Sequence, residues 1–138
     1  MAYGKIVADQ IQHSSEGTVG TQYVVNGSPK AFVNFNGFGT VAIQESLNMS
    51  SVVDNATGDY TPTLATAMNN TDYLCVIGGQ FRQRTSSIAV ILQVRSSAEN
   101  NVADLKTTTQ VRHEGKRSDT SSALDIGAGH ICVLGDLA

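Results

Sequence analysis

The stretch Lys30–Met68, KAFVNFNGFGTVAIQESLNMSSVVDNATGDYTPTLATAM, decides the fold class of this chain. Apolar residues alternate with small polar residues, and clusters of Asn, Gly and Asp interrupt the alternation at short intervals. Alternation with a period of two gives each strand one apolar face, and the Asn/Gly/Asp clusters supply tight turns. The stretch therefore predicts antiparallel strands that follow one another in a meander.

The first strand of this meander has the clearest alternation. Ala31, Val33 and Phe35 fall on one face, and the residues between them fall on the other. A turn follows, and the next strand opens at Val41 and runs towards Met49–Val53. The face that carries Ala31, Val33 and Phe35 is the predicted contribution of the first strand to a hydrophobic core.

A hairpin loop is predicted at Asp54-Asn55-Ala56-Thr57-Gly58, with Asp59 on its far side. Asp and Asn side chains accept hydrogen bonds from nearby backbone N–H groups, and Gly58 can adopt the positive φ of a type I turn with a bulge. Turn capping accounts for both Asp54 and Asp59 in this interpretation. Pro62 has no N–H to donate, so the return strand is predicted to be an edge strand or to be bulged.

Further strands are predicted beyond this stretch. Tyr73–Gly78 is apolar on both faces, which is typical of a buried central strand, and Ser87–Arg95 has clean alternation. Leu105–Arg112 is rich in β-branched Thr, and Ile131–Leu134 is a short apolar strand. About eight strands with turns every 8–12 residues or so predict an all-β fold, an antiparallel β-sandwich of jelly-roll-like type.

The N-terminal arm, residues 1–28, is less regular than residues 29–138, the predicted sandwich domain. Lys5–Gln12 and Gln22–Val25 are candidate strands, and a turn cluster before Pro29 separates the arm from the main body. Two interpretations stay open. The arm supplies the first strands of the same sheet, or it is an extended segment that packs on another subunit or anchors the chain to a particle.

Length and composition fit one domain of strands and turns. The chain has 138 residues, of which 15% are charged, well below the average of about 25%. Ser, Thr, Asn and Gly supply most of the polarity, and these residues favour strands and turns over helix interiors. The two cysteines, Cys75 and Cys132, lie in apolar strands of a chain without a secretory signal, so free thiols are favoured over a disulfide.

Charge and hydropathy exclude several classes of protein. A net charge of −3 provides no basic field for a phosphate backbone, so we expect no nucleic-acid partner. No apolar run approaches the roughly 18 residues of a membrane span. The first residues, MAYGKIVADQ, lack the charged and apolar regions of a signal peptide.

The sequence carries no motif for catalysis, for a metal or for a cofactor. His13, His113 and His130 have no second His or Cys at ligand spacing, and each is interpreted as a solvated residue of a loop or strand edge. No serine occupies a G-x-S-x-G elbow, and no phosphate-binding loop is present. A glycosidase pair of carboxylates stays open, since such residues meet only in space.

Basic side chains in two runs are candidate contacts with a partner. They are Arg82 and Arg84 in FRQR, and Arg112, His113, Lys116 and Arg117 in RHEGKR. The second run lies between two predicted strands and is most simply a solvated loop at the end of a sheet. Its functional alternative is contact with an acidic surface, such as an anionic glycan or a neighbouring protein subunit.

The opening stretch also resembles a β-rich domain that recurs in virion proteins of tailed bacteriophages, tail fibres among them. The matching residues are Ala31–Gly37 (AFVNFNG), Thr40–Ile43 (TVAI), Asn48–Val53 (NMSSVV), Asp54–Tyr60 (DNATGDY) and Thr66–Met68 (TAM). The chain departs from the family pattern at Phe32, where Trp is common, at Ala56, where Gly is common, and at Pro62, which interrupts a strand. The motif carries no catalytic residue.

This resemblance implies a non-enzymatic virion structural protein, made in the host cytoplasm without a signal peptide. It implies a homotrimeric tail-fibre or appendage subunit in host attachment, in contact with other virion proteins, with host surface glycan as a further candidate partner. One alternative is a capsid decoration (cement) or head-fibre protein that stabilises the phage head. A second alternative is a glycan-degrading depolymerase domain.

Overall fold

A computed structural model describes Gly4 and residues 6–80, 90–94 and 106–138. One short helix and ten strands are defined in these ranges. In chain order they are β1 (Gln10–His13), β2 (Gly17–Gly20), α1 (Thr21–Gly27), β3 (Pro29–Asn36), β4 (Ala42–Leu47), β5 (Met49–Ala56), β6 (Asp59–Leu64), β7 (Leu74–Gln80), β8 (Val90–Val94), β9 (His113–Arg117) and β10 (Ala128–Leu134).

Eight of the strands form two four-stranded sheets. The first sheet has the order β4-β3-β10-β7, and the second has the order β5-β6-β9-β8. Neighbouring strands run antiparallel in both sheets. The prediction of an all-β antiparallel sandwich is confirmed.

The hydrophobic core lies between the two sheets. Its buried apolar residues are Ala31, Val33, Phe35, Tyr60, Leu64, Met68, Tyr73, Val111, Ile126, Ile131 and Val133. Ala31, Val33 and Phe35 come from β3, and burial alternates along this strand as predicted. Each large apolar side chain that leaves water contributes about 1.5–3 kcal/mol, so the core is the main source of stability.

The chain passes from the first sheet to the second at Asn48. This residue has a φ of 52°, a left-handed conformation that Asn tolerates better than most residues. Its side-chain Nδ2 donates to the carbonyls of Lys30 and Thr66, both at 3.2 Å, and its Oδ1 accepts from the Thr66 N–H at 2.7 Å. The strand predicted from Val41 towards Val53 is therefore two strands, β4 and β5, in different sheets.

The hairpin between β5 and β6 lies where the sequence placed it. Gly58 has a φ of 67°, and the register shifts between Asp54 and Ala56, as in a bulge. A Cβ on Gly58 would lie 2.7 Å from the carbonyl oxygens of Gly115 and Leu124, so only glycine fits here.

Pro62 does not mark an edge strand. β6 lies between β5 and β9, so the prediction of an edge is wrong. Only Asp59 and Tyr60 pair with β9, and the Pro62 carbonyl accepts a hydrogen bond from the Val111 N–H at 3.1 Å. Because Pro62 lies beyond the residues that pair with β9, its missing N–H removes no bond between β6 and β9, and its contact with Val111 has one backbone hydrogen bond instead of two.

Among the strands that the structure describes, β7 lies at the edge of its sheet, so the prediction of a buried central strand at Tyr73–Gly78 is wrong. Leu74 and Val76 are 60% and 55% exposed on its outer face. The strand is apolar on both faces because one face packs on the core while the other is an exposed apolar surface. An apolar run does not by itself distinguish these two cases.

Two other predicted strands have mixed outcomes. β8 covers Val90–Val94 of the predicted Ser87–Arg95 strand, and the rest of that segment lies outside the described residues. The strand predicted at Leu105–Arg112 is wrong in its described part, which forms only isolated bridges such as Lys106 with Val111. Thr107 instead caps a turn, with its hydroxyl oxygen accepting from the Gln110 N–H at 3.0 Å.

The N-terminal arm forms a β1–β2 hairpin followed by α1. β1 and β2 pair with each other in a sheet of their own, and α1 buries none of its residues. The strand predicted at Gln22–Val25 is wrong, since these residues lie in the helix. No helix in the described ranges has the length and apolar character needed to cross a bilayer. The division of the chain at Pro29 stays a prediction.

Candidate functional site

The charged run RHEGKR is largely strand β9 rather than a solvated loop, so that interpretation is wrong. His113 and Gly115 point inward and are buried. Arg112, Glu114 and Lys116 alternate with them and face outward on the second sheet. Charge at every second position is a strand signal, because alternate residues of a strand share a face.

His113 lies inside the sandwich, so it is not a surface contact residue. Its ring packs against Phe35 and Tyr60, with both centroid distances at 5.7 Å. Within the described part of the chain, neither ring nitrogen has a hydrogen-bond partner. Burial lowers the pKa of His113 to about 4, against smaller opposing effects of the Val111 backbone and the Asp59 carboxylate. The ring is therefore neutral at pH 7.

Asp59 forms a two-pronged ion pair with Arg112 on the outer side of the second sheet. Nε and Nη2 of Arg112 donate to Oδ1 and Oδ2 of Asp59 at 2.8 and 2.6 Å. This hydrogen bonding raises the pKa of Arg112. Asn55 Nδ2 donates to Thr61 Oγ1 at 2.8 Å and to Asp59 Oδ1 at 3.3 Å. Turn capping therefore does not account fully for Asp59, contrary to the sequence interpretation.

Glu114 lies beside Asp59, as its register partner on the adjacent strand. Its Oε1 accepts from Gln93 Nε2 at 2.6 Å and lies 2.8 Å from Lys116 Nζ. Both carboxylates thus have a cationic partner. We call this network the polar strip, and its members are Asn55, Asp59, Thr61, Gln93, Arg112, Glu114 and Lys116.

Arg117 and the hairpin residue Asp54 do not join the polar strip. Arg117 pairs with Asp119 at the end of β9, through distances of 3.0 and 2.9 Å. This pairing lowers the pKa of Asp119 to about 2. Asp54 is exposed at the hairpin, and Arg82 and Arg84 lie outside the described residues.

The first sheet has a contrasting outer face. In register across its four strands lie Leu47, Phe32, Cys132 and Val76, and Leu134 pairs with Leu74 in a further row. We call these six residues the apolar stripe. A shallow groove of about 360 Å³ lies at the border of the stripe, between Phe32, Cys132 and Val76 on one side and Asn34, His130 and Gly78 on the other. The adjacent row, Glu45-Asn34-His130-Gly78, is polar or lacks a side chain and bounds the stripe on one side.

Cys75 and Cys132 occupy neighbouring strands but opposite faces. Cys75 is the register partner of Val133, which points inward, whereas Cys132 is the partner of Val76, which points outward. Both are free thiols, as predicted, and burial raises the pKa of Cys75 to about 11. Among the described residues, no group of three or more His, Cys, Asp or Glu could hold a metal ion.

Replacing Arg112 by Met should destabilise the fold by about 1–3 kcal/mol, because the nearly buried Asp59 would lose two charge-assisted hydrogen bonds. Urea denaturation at pH 7 measures the loss. Arg117→Met is the matched control, since its pair with Asp119 is on the surface and should contribute little. Equal losses in the two variants would contradict a structural role for the Asp59 pair.

Comparison with solved structures found a protein of similar fold. No family model matches the chain, and none of the curated proteins matches it. The chain is similar to the phiAB6 tailspike, whose crystal structure contains three-repeated oligosaccharides of Acinetobacter baumannii surface polysaccharide. The likeness has a TM-score of 0.49 at 9% sequence identity, and it covers 91% of this chain. The chain spans 23% of the length of the tailspike chain.

Proposed function

We propose that the chain is a structural subunit of a phage virion that works by binding, as a tail-fibre or appendage subunit in host attachment. The sequence resemblance of Lys30–Met68 supports the virion class. The apolar stripe is the structural observation that carries the proposal. Single exposed apolar residues are common, but a contiguous row across a whole sheet is typical of a surface that a partner covers.

The contrast between the two outer faces supports different roles for them, assembly for the first sheet and ligand binding for the second. The apolar stripe suits subunit assembly, whereas the polar strip displays donors and acceptors that neighbouring side chains hold in place. Ordered donors and acceptors on a rigid sheet suit a ligand rich in hydroxyl groups, such as a host surface glycan. Arg112 and Lys116 retain about a third of their side-chain exposure, 32% and 35%, and are therefore accessible to such a ligand.

Localisation on intact particles tests the proposal. Immunogold labelling or cryo-electron microscopy should find the chain at the tail or its appendages. Labelling confined to the head would contradict host attachment and support the decoration or head-fibre alternative. Absence from purified particles would contradict both.

The decoration alternative is supported by the N-terminal arm. Ile6, Val7 and Ile11 expose apolar side chains beyond the sandwich, as expected of a segment that lies across neighbouring capsid subunits. A cryo-electron microscopy map of the head with density for this arm between capsid subunits would favour cement over attachment.

The depolymerase alternative rests on Asp59 and Glu114, because a direct cross-strand pair places two carboxylates close together. A glycosidase needs one of its two carboxyl groups protonated as a general acid. Ion pairs with Arg112 and Lys116 already engage both carboxylates, which supports binding over hydrolysis. Incubation with host polysaccharide should release no reducing ends. Release that Glu114→Gln abolishes would establish the enzyme.

A homotrimer is the expected assembly. Light scattering coupled to size exclusion should give three times the chain mass of 14.6 kDa. A monomer at micromolar concentration would contradict self-association.

A further inference from the structure

The N-terminal arm exposes more apolar surface than a self-contained segment would. Ile6 and Val7 are 93% and 82% exposed, and Tyr23 and Val25 are more than half exposed. Burying one such side chain is worth about 1.5–3 kcal/mol. The arm therefore has a strong driving force to dock on an apolar surface.

Hydrogen bonds within the chain, rather than the apolar stripe, hold the described residues of the arm in place. Thr21 ties α1 to the start of the hairpin, since its N–H donates to the Asp9 carbonyl at 2.9 Å and its hydroxyl to the Ala8 carbonyl at 2.7 Å. Lys30 Nζ donates to the Val25 carbonyl and to Ser28 Oγ, which fastens the end of α1 to the start of β3. In this bonded arrangement the side chains of Ile6, Val7, Tyr23 and Val25 remain exposed.

The size and charge of the apolar stripe fit an element like those of the arm. Four strands spaced by about 4.8 Å give the stripe a width of roughly 14 Å. A helix of seven residues, such as α1, is about 10 Å long, and a strand of four residues, such as β1, is about 13 Å long. The stripe has no charged residue, so it offers nothing to an acidic or basic partner.

We propose that the arm of one copy docks on the apolar stripe of a neighbouring copy. Each chain has one arm and one apolar stripe, so each contact between two copies covers one arm and one stripe. The contact is heterologous and closes when successive copies form a ring, for which three copies are the expected number. The inference rests on the proposed function only through self-association and does not depend on the position in the virion.

The native thiol of Cys132 provides a direct test, because it lies in the middle of the apolar stripe. Val25→Cys puts a thiol on the arm, and added copper phenanthroline oxidises two adjacent thiols to a disulfide. We expect species of two and three chain masses on a non-reducing gel. Adding Cys132→Ser should remove them, whereas Cys75→Ser should not, since Cys75 faces the core side. Val53→Cys, on the outer face of the second sheet, should give no such species.

A second pair of variants tests the contact without a disulfide cross-link. Val76 and Val53 have nearly equal exposure, 55% and 49%, but lie on different sheets. Val76→Lys puts an ammonium group in the apolar stripe and should shift the mass by light scattering to that of a single chain. Val53→Lys should leave the assembly unchanged.

The outcomes separate this inference from the proposed function. Cross-links that form only within one chain, or that persist after Cys132→Ser, would overturn arm docking. So would an unchanged mass for Val76→Lys or a wild-type monomer. Microscopy tests the virion role independently of arm docking. A chain that is found on particles but shows no arm docking would contradict only this inference. An oligomer that shows arm docking but is absent from particles would contradict only the proposed function.

Discussion

Phe35→Ala should destabilise the sandwich by about 3–5 kcal/mol, the usual loss for a buried phenylalanine. Phe35 is 0% exposed, and its ring centroid lies 5.3 Å from that of Tyr60 and 5.7 Å from that of His113. A Cβ on Gly129 would lie 2.3 Å from Phe35 Cζ, so the ring packs directly on the backbone of β10. Because β10 cannot move inward without breaking its pairing on both sides, the cavity would stay largely open.

Phe38→Ala is the matched control, because Phe38 is 45% exposed in the turn after β3. Urea denaturation at fixed protein concentration measures both variants, since self-association adds to apparent stability. The free energy of unfolding of a domain is about 5–15 kcal/mol. Phe35→Ala should therefore remove a large fraction of this free energy, and Phe38→Ala a small fraction. Similar losses in the two would mean that the two sheets do not enclose the core around Phe35.

The features that the sequence predicted well are those set by local pattern. β3 alternates cleanly between apolar and polar residues, and the hairpin at Gly58 has a glycine where a positive φ is needed. In both cases the residues that determine the structure are neighbours in the chain. Local pattern therefore identified the fold class and the first strand of the core.

Features set by long-range pairing were missed. The edge position of β7 depends on which strand pairs with β10, and no property of residues 74–80 alone specifies it. The Asp59–Arg112 pair joins residues 53 apart in sequence. For β9 a local signal was present, since its charges alternate with His113 and Gly115. The sequence interpretation gave more weight to the high charge of the run, which is typical of a solvated loop, than to this alternation.

The stability of the wild-type protein should fall as the pH is lowered from about 7 to about 4, and His113 should account for a large part of the fall. The pKa of His113 is about 4 in the fold against 6.5 for an ordinary histidine. Between these values the unfolded chain binds a proton that the folded chain does not, so protonation favours unfolding. The effect grows below pH 6.5, is complete near pH 4, and amounts to roughly 3 kcal/mol.

His113→Leu removes the titrating group and should reduce the difference in stability between pH 7 and pH 4. It also removes two ring nitrogens that lack a partner among the described residues, so stability at pH 7 should equal or slightly exceed that of the wild type. Urea denaturation at half-unit pH steps measures both proteins, and the difference between them isolates His113 from the carboxylates. Phe38→Ala, which leaves His113 in place, should keep the wild-type pH dependence. If wild type and His113→Leu lost stability in parallel on acidification, His113 would not be buried in its neutral form between Phe35 and Tyr60.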